Sequence, residues 1–90
     1  MAAKSKPVPG SQSTQAKRII ARFGTAYELS RALADLEEPE HARTPAAIYR
    51  WTYPRARGGQ DGLIPSDMLR AIQDAARLHG IVIPDTEWRP

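Results

Sequence analysis

Between His41 and Gln60 the chain carries Arg43, Arg50, Arg55 and Arg57 and no acid, and the chemistry this set offers is recognition rather than bond making. A guanidinium presents a rigid fork of donors that fits phosphate oxygens or the O6 and N7 atoms of guanine. Thr44, Tyr49, Thr52 and Tyr53 are interleaved with the arginines, and their hydroxyls are suited to phosphate while a tyrosine ring adds a stacking face. Bond making has far less to work with. The chain has no cysteine, which removes thiol nucleophiles, disulfides and thiolate metal sites together. Paired carboxylates occur only in the acidic run 35–40, and no spacing enforces a histidine–carboxylate pair or a triad with Ser30, Ser66, His41 or His79. No enzyme activity, metal site or cofactor is expected.

The element that must position Arg50 is the segment Thr44-Pro45-Ala46-Ala47-Ile48-Tyr49-Arg50-Trp51. Thr44 stands where an N-cap belongs, its hydroxyl able to accept from a free first-turn amide, and Pro45 suits the first helical position, where no donor is needed. A short helix over 45–52 follows, stopped by Pro54, with Ala47, Ile48 and Trp51 facing inward. Pro45, Ala46, Tyr49 and Arg50 are left on the outer face. Upstream, Thr25 caps a helix over 26–34, with Glu28 three residues later as a capping box and Leu29, Ala32 and Leu33 as its buried face. A helix over 14–23 precedes it, apolar at Ala16, Ile19, Ile20 and Phe23 and ended by Gly24. A fourth starts near 65–66 and runs to His79, with Met68, Leu69, Ile72, Ala75, Ala76 and Leu78 as its stripe and Gly80 beyond its end.

The remaining segments read as connections. Residues 1–13 mix small, polar, proline and glycine residues without apolar period and predict a disordered basic arm. The insertion 35–43 holds Asp35, Glu37, Glu38 and Glu40, is too long for a three- or four-residue turn, and cannot be continuous helix because of Pro39. It is expected to face away from any phosphate. Residues 54–62 read as a flexible glycine-rich basic loop, Ile81-Val82-Ile83 as a short extended run, and 85–90 as a polar tail with Trp88. The domain itself is therefore 14–84.

Ninety residues with a formal charge of +3 bound the answer to one small domain with a limited core. The charge is unevenly spread: residues 1–34 hold six bases against Glu28 alone, so positive charge gathers at the N-terminal region and around Arg50. No apolar run approaches the roughly 18 to 20 residues that span a bilayer, and no hydrophobic stretch follows the N-terminal lysines. A cytoplasmic, nucleoid-associated protein without membrane contact is expected.

The run from about Lys17 to Pro84 resembles the Cro/CI-like, lambda-repressor-like helix-turn-helix regulators of phage type. The residues that carry the likeness are Ile20, Phe23 and Gly24 ahead of Tyr27-Glu28-Leu29-Ser30-Arg31-Ala32-Leu33, then Thr44 to Trp51, then Gly62-Leu63-Ile64-Pro65 with Ile72, Ala75-Ala76-Arg77 and Gly80-Ile81. The pattern also looks similar to short activators encoded with phage-derived clusters, including gene transfer agents. The resemblance implies an all-α domain of four to five helices that binds double-stranded DNA and regulates transcription. The helix over 45–52 would then enter the major groove. Arg50 is the foremost base reader, with Tyr49, Ala46 and Pro45 beside it. Thr25, Tyr27, Arg43, Thr44, Thr52, Tyr53, Arg55, Arg57 and Gln60 are the candidate backbone contacts.

A second reading stays open: a helix-turn-helix-shaped interaction module or co-activator that contacts RNA polymerase or a partner regulator. The acidic insertion, Trp88 and the apolar run 81–83 motivate it. The same run or the fourth helix is also suited to a homodimer interface, or equally to closing the monomer core.

Overall fold

The computed structural model describes residues 14–89. Among the described residues four α-helices follow one another: α1 (Gln15–Phe23), α2 (Ala26–Ala34), α3 (Pro45–Arg50) and α4 (Leu69–Leu78). Turns of 3₁₀ helix at Pro39–His41, Arg55–Arg57, Ser66–Met68 and Asp85–Trp88 lie between and after them. No strand occurs among the described residues.

Each of the first three helices is started by a threonine. The Thr14, Thr25 and Thr44 hydroxyls accept from the amides of Lys17 (3.3 Å), Glu28 (3.3 Å) and Ala47 (3.1 Å), satisfying donors the helix itself leaves free. Gly24, at φ 116°, reverses the chain so that only Gly24 and Thr25 separate α1 from α2. The Glu28 half of the expected capping box is not closed among the described residues. Its carboxylate lies over Gly24 instead, where a Cβ would strike it.

The apolar periods meet in one core. Ile19 of α1, Leu29 and Leu33 of α2, Ile48 of α3, and Met68 and Ile72 at α4 are fully enclosed. Each such side chain contributes about 1.5–3 kcal/mol through burial. α2 is the central element, packed against α1, α3 and α4, so the core fixes α3 mainly through α2. α4 ends in a Schellman motif: Ile81 N–H donates to Ala76 O (2.8 Å) and Gly80 N–H to Arg77 O (3.2 Å), with Gly80 at φ 69°. That turn carries Ile81 and Ile83 back against the core.

Four expectations are corrected. Leu78 is 58% exposed, because it lies two residues, about 200°, round the helix from buried Ala76. Ala47 is only half-buried, leaving Ile48 and Trp51 to anchor α3. Residues 54–62 form a hydrogen-bonded loop rather than a loose one: Asp61 N–H donates to Tyr53 O, Gly62 N–H to Trp51 O and Gly59 N–H to Pro54 O, at 2.8–3.0 Å. The segment 85–88, read as tail, forms a turn on α1, with Trp88 half-buried against the core.

Two α1 side-chain positions explain the last correction. Gln15 is buried, and its amide accepts from Ile64 N–H (2.8 Å) while donating to Trp88 O (2.5 Å). Glu87 takes Arg18 on one carboxylate oxygen (3.1 Å) and Arg22 on the other (2.5 Å). The hydrogen bond from Arg22 holds the Glu87 carboxyl below the usual carboxylate range, aided by the charges of Arg22 and Arg18 and opposed by desolvation. The expected residues 1–13 arm lies outside the described residues.

Candidate nucleic-acid interface

Three of the four residues expected on the outer side of α3 are solvent-exposed. Ala46, Tyr49 and Arg50 are exposed, Tyr49 to 42%, and Pro45 is half-buried at the first helical position. The helix ends at Arg50 rather than Thr52. Trp51 turns into the core, and Thr52 and Tyr53 continue through i to i−3 bonds to Tyr49 and Arg50.

The candidate backbone contacts divide by what their polar atoms already do. Arg43 is turned onto the insertion: its guanidinium donates to Glu40 O (2.9 Å) and Ala42 O (2.8 Å) and lies 3.7 Å from Asp67. Its own carbonyl accepts from Ser30 Oγ (2.6 Å). Arg55 is likewise engaged, its Nε 3.0 Å from Asp61, which also takes the Arg55 amide at 2.8 Å. Thr52 donates its hydroxyl proton to Tyr49 O (2.7 Å), so it has none left for phosphate. Gln60 is half-buried and its backbone carbonyl accepts from Leu63 N–H, while its side-chain amide makes no hydrogen bond among the described residues.

The others keep free donors. Thr25 and Thr44 use their hydroxyl oxygens as acceptors for their caps, which leaves each proton to donate outward. Tyr27 is 63% exposed and Tyr53 39%. Arg57 stacks over the Tyr53 ring at 5.4 Å, a cation–π contact that orients the guanidinium while leaving its charge uncompensated. Among the described residues, Lys17, Arg31, Arg50, Arg57 and Arg89 have no carboxylate partner, whereas the remaining arginines do. Of the four arginines named from sequence, Arg50 and Arg57 have no carboxylate partner among the described residues, while Arg43 lies beside Asp67 and Arg55 pairs with Asp61.

Lys17, which is not among the residues named from sequence, lies beside them. A groove of about 340 Å³ runs between the end of α1, the start of α2 and the outer side of α3, and Lys17 lines it with Thr25, Tyr49, Ile20, Ala21 and Ala26. The sequence places Lys17 off the apolar face of α1, and only the fold, which brings residues of α1 and α3 to the lining of one groove, shows which neighbours that position has.

Both histidines gain the carboxylate partners that spacing does not enforce. His41 Nδ1 lies 2.8 Å from Glu38 and His79 Nε2 2.8 Å from Asp35. Glu38, Glu40 and His41 bring one candidate metal-ligand atom each within 4.8 Å of one another on the insertion's surface. Neither histidine is hydrogen-bonded to a serine or threonine among the described residues. No helix among those residues is long and apolar enough to cross a membrane.

Comparison with known proteins found no matching family model, no matching curated sequence and no matching solved structure.

Proposed function

We propose that the chain is a double-stranded DNA-binding regulator of the lambda-repressor-like helix-turn-helix kind, a binding protein rather than an enzyme, which reads the major groove with α3. The observation that carries the reading is the outer side of α3 and its flank. Exposed Tyr49 and Arg50 sit on a threonine-capped helix, Arg50 has no carboxylate partner among the described residues, and Arg57 stands over Tyr53 beside them. An uncommitted guanidinium on an exposed helix face is what bidentate contact to guanine needs. With Ala46 and Pro45 as the other outward residues, direct readout is short, and phosphate contacts from Thr25, Thr44, Tyr53 and Arg57 carry much of the affinity.

Titration of wild type and Arg50→Ala against a pool of genomic duplex fragments, at two salt concentrations, tests this. Selective retention of a few fragments, weakened about ten-fold or more by Arg50→Ala, supports base reading. Equal, salt-sensitive retention of every fragment would remove the base-reading role and leave only backbone binding.

The alternative of a protein-binding module is favoured by one observation, the exposure of Leu78 (58%) and Val82 (79%) at the end of α4 and just beyond it. Trp88, Ile81 and Ile83 lend it less, being partly buried against the core. A chain that retains no DNA fragment but captures RNA polymerase, with Arg50→Ala unchanged, would favour it.

A further inference from the structure

We infer that the groove between α1, α2 and α3 seats a deoxyribose-phosphate strand, with Lys17 as its phosphate clamp. This deepens the DNA-binding reading and rests on it.

The groove is lined by apolar Ile20, Ala21 and Ala26 and by polar Lys17, Thr25, Tyr49 and Thr52. A DNA strand has the matching two-sided chemistry: a sugar edge with little hydrogen-bonding demand, and phosphate oxygens that take ammonium and hydroxyl donors. Lys17 is exposed and has no carboxylate partner among the described residues. Its ammonium is therefore available to replace condensed counterions along a strand. The Thr25 hydroxyl has spent only its acceptor side on the helix cap, so its proton points to the same donor role. Tyr49 ties the groove to reading, since it lines the groove and belongs to the exposed side of α3. A strand held at Lys17 would thus lie next to the bases that Arg50 meets, and the clamp would fix the register of α3 without reading sequence.

Neither charge nor the apolar lining separates this occupant from an acidic peptide, because both are anionic and a peptide has apolar side chains; the adjoining exposed face of α3 favours the strand. One carboxylate opposes it. Glu28 lies over Gly24 at the groove's edge, where it repels phosphate and lowers affinity.

The test measures binding of fluorescein-labelled duplex, at a series of KCl concentrations, to wild type, Lys17→Ala, Lys17→Arg and Glu28→Gln. Lys17→Ala is expected to weaken every duplex alike, on the order of ten-fold at low salt, and to flatten the slope of log affinity against log salt by about 0.9. Lys17→Arg should restore the slope, Glu28→Gln should tighten binding, and the ranking of fragments should stay as in wild type throughout. Thermal melts of each variant separate loss of binding from loss of fold. Wild-type binding with an unchanged slope in Lys17→Ala would overturn the clamp while leaving Arg50 reading intact. No binding by wild type would overturn both, and binding of a polyglutamate peptide at the groove in preference to duplex would overturn the strand as occupant.

Discussion

At the scale of single residues, what a side chain can do is set by which of its atoms the fold has already used. Arg43 and Arg50 are equivalent in sequence, two arginines in an acid-free stretch, yet one is bonded to loop carbonyls beside Asp67 while the other faces outward uncommitted. Thr52 and Thr44 differ in the same way, one having given its proton to Tyr49 and the other having kept it. Such distinctions follow from contacts that composition does not encode. Gly59 makes the same point for the backbone: it is buried, and a Cβ there would run into the Tyr53 carbonyl. That carbonyl accepts the Asp61 amide and cannot give way without losing the bond. Gly59→Ala is therefore expected to destabilise the fold by about 1–3 kcal/mol. A thermal melt checks it, with Gly58→Ala as the contrasting site: there a Cβ meets nothing, and only the strain of φ 81° acts.

At the scale of elements, the sequence shows helices well where punctuation and period agree. The α2 bounds, the Thr25 and Thr44 caps, the Pro45 start and the Gly24 break are all legible in the residue order itself, because each is a local consequence of one or two residues. Two kinds of element are not legible. One is irregular structure held by long-range bonds: the 54–62 loop looks loose by composition, since glycine and arginine carry no period, yet its amides are satisfied by Trp51, Tyr53 and Pro54 carbonyls. The other is the docking of 85–88, which depends on a buried glutamine. Gln15 reads as an ordinary polar first-turn residue, but it joins α1 to Ile64 and Trp88 at once. The outward residues of the candidate site were legible from the α3 period; the groove beside them was not, because it joins three helices. Replacing Gln15 by leucine leaves a buried amide and a carbonyl unpartnered, so Gln15→Leu should cost about 1–3 kcal/mol for each group left unsatisfied. Chemical denaturation measures the loss, and hydrogen exchange at Ile64 locates it; unchanged protection there would show that the Gln15 bond contributes little.

At the scale of the whole molecule, the C-terminal turn docks on α1 and decides where positive charge remains. Glu87 engages Arg18 and Arg22 together, so the basic α1 is divided between a side whose two guanidiniums share one carboxylate and the side that carries Lys17. The same bridge makes stability depend on pH with a definite sign. Folded Glu87 has a carboxyl pKa below its ordinary value, chiefly through the Arg22 hydrogen bond. The unfolded chain therefore takes up that proton first as the solution is acidified. The stabilisation is complete above the ordinary carboxylate pKa, begins to fall there, and is gone once pH drops through the lower folded value. Glu87→Gln removes the ionisable group while keeping its size, so wild type should melt higher than Glu87→Gln at neutral pH. The two curves should converge as pH falls through and below the ordinary carboxylate range, and added salt should narrow the neutral-pH gap because the pair is partly exposed. Trp88→Ala separates packing from charge: losing the indole from its half-buried place on the core lowers the melting temperature at every pH, acid included. The absence of a gap at neutral pH would mean that the C-terminal turn is held by Trp88 and the Gln15 bond without the ion pairs, and a gap that persisted undiminished into acid would mean that glutamine at position 87 costs stability by something other than the lost charge.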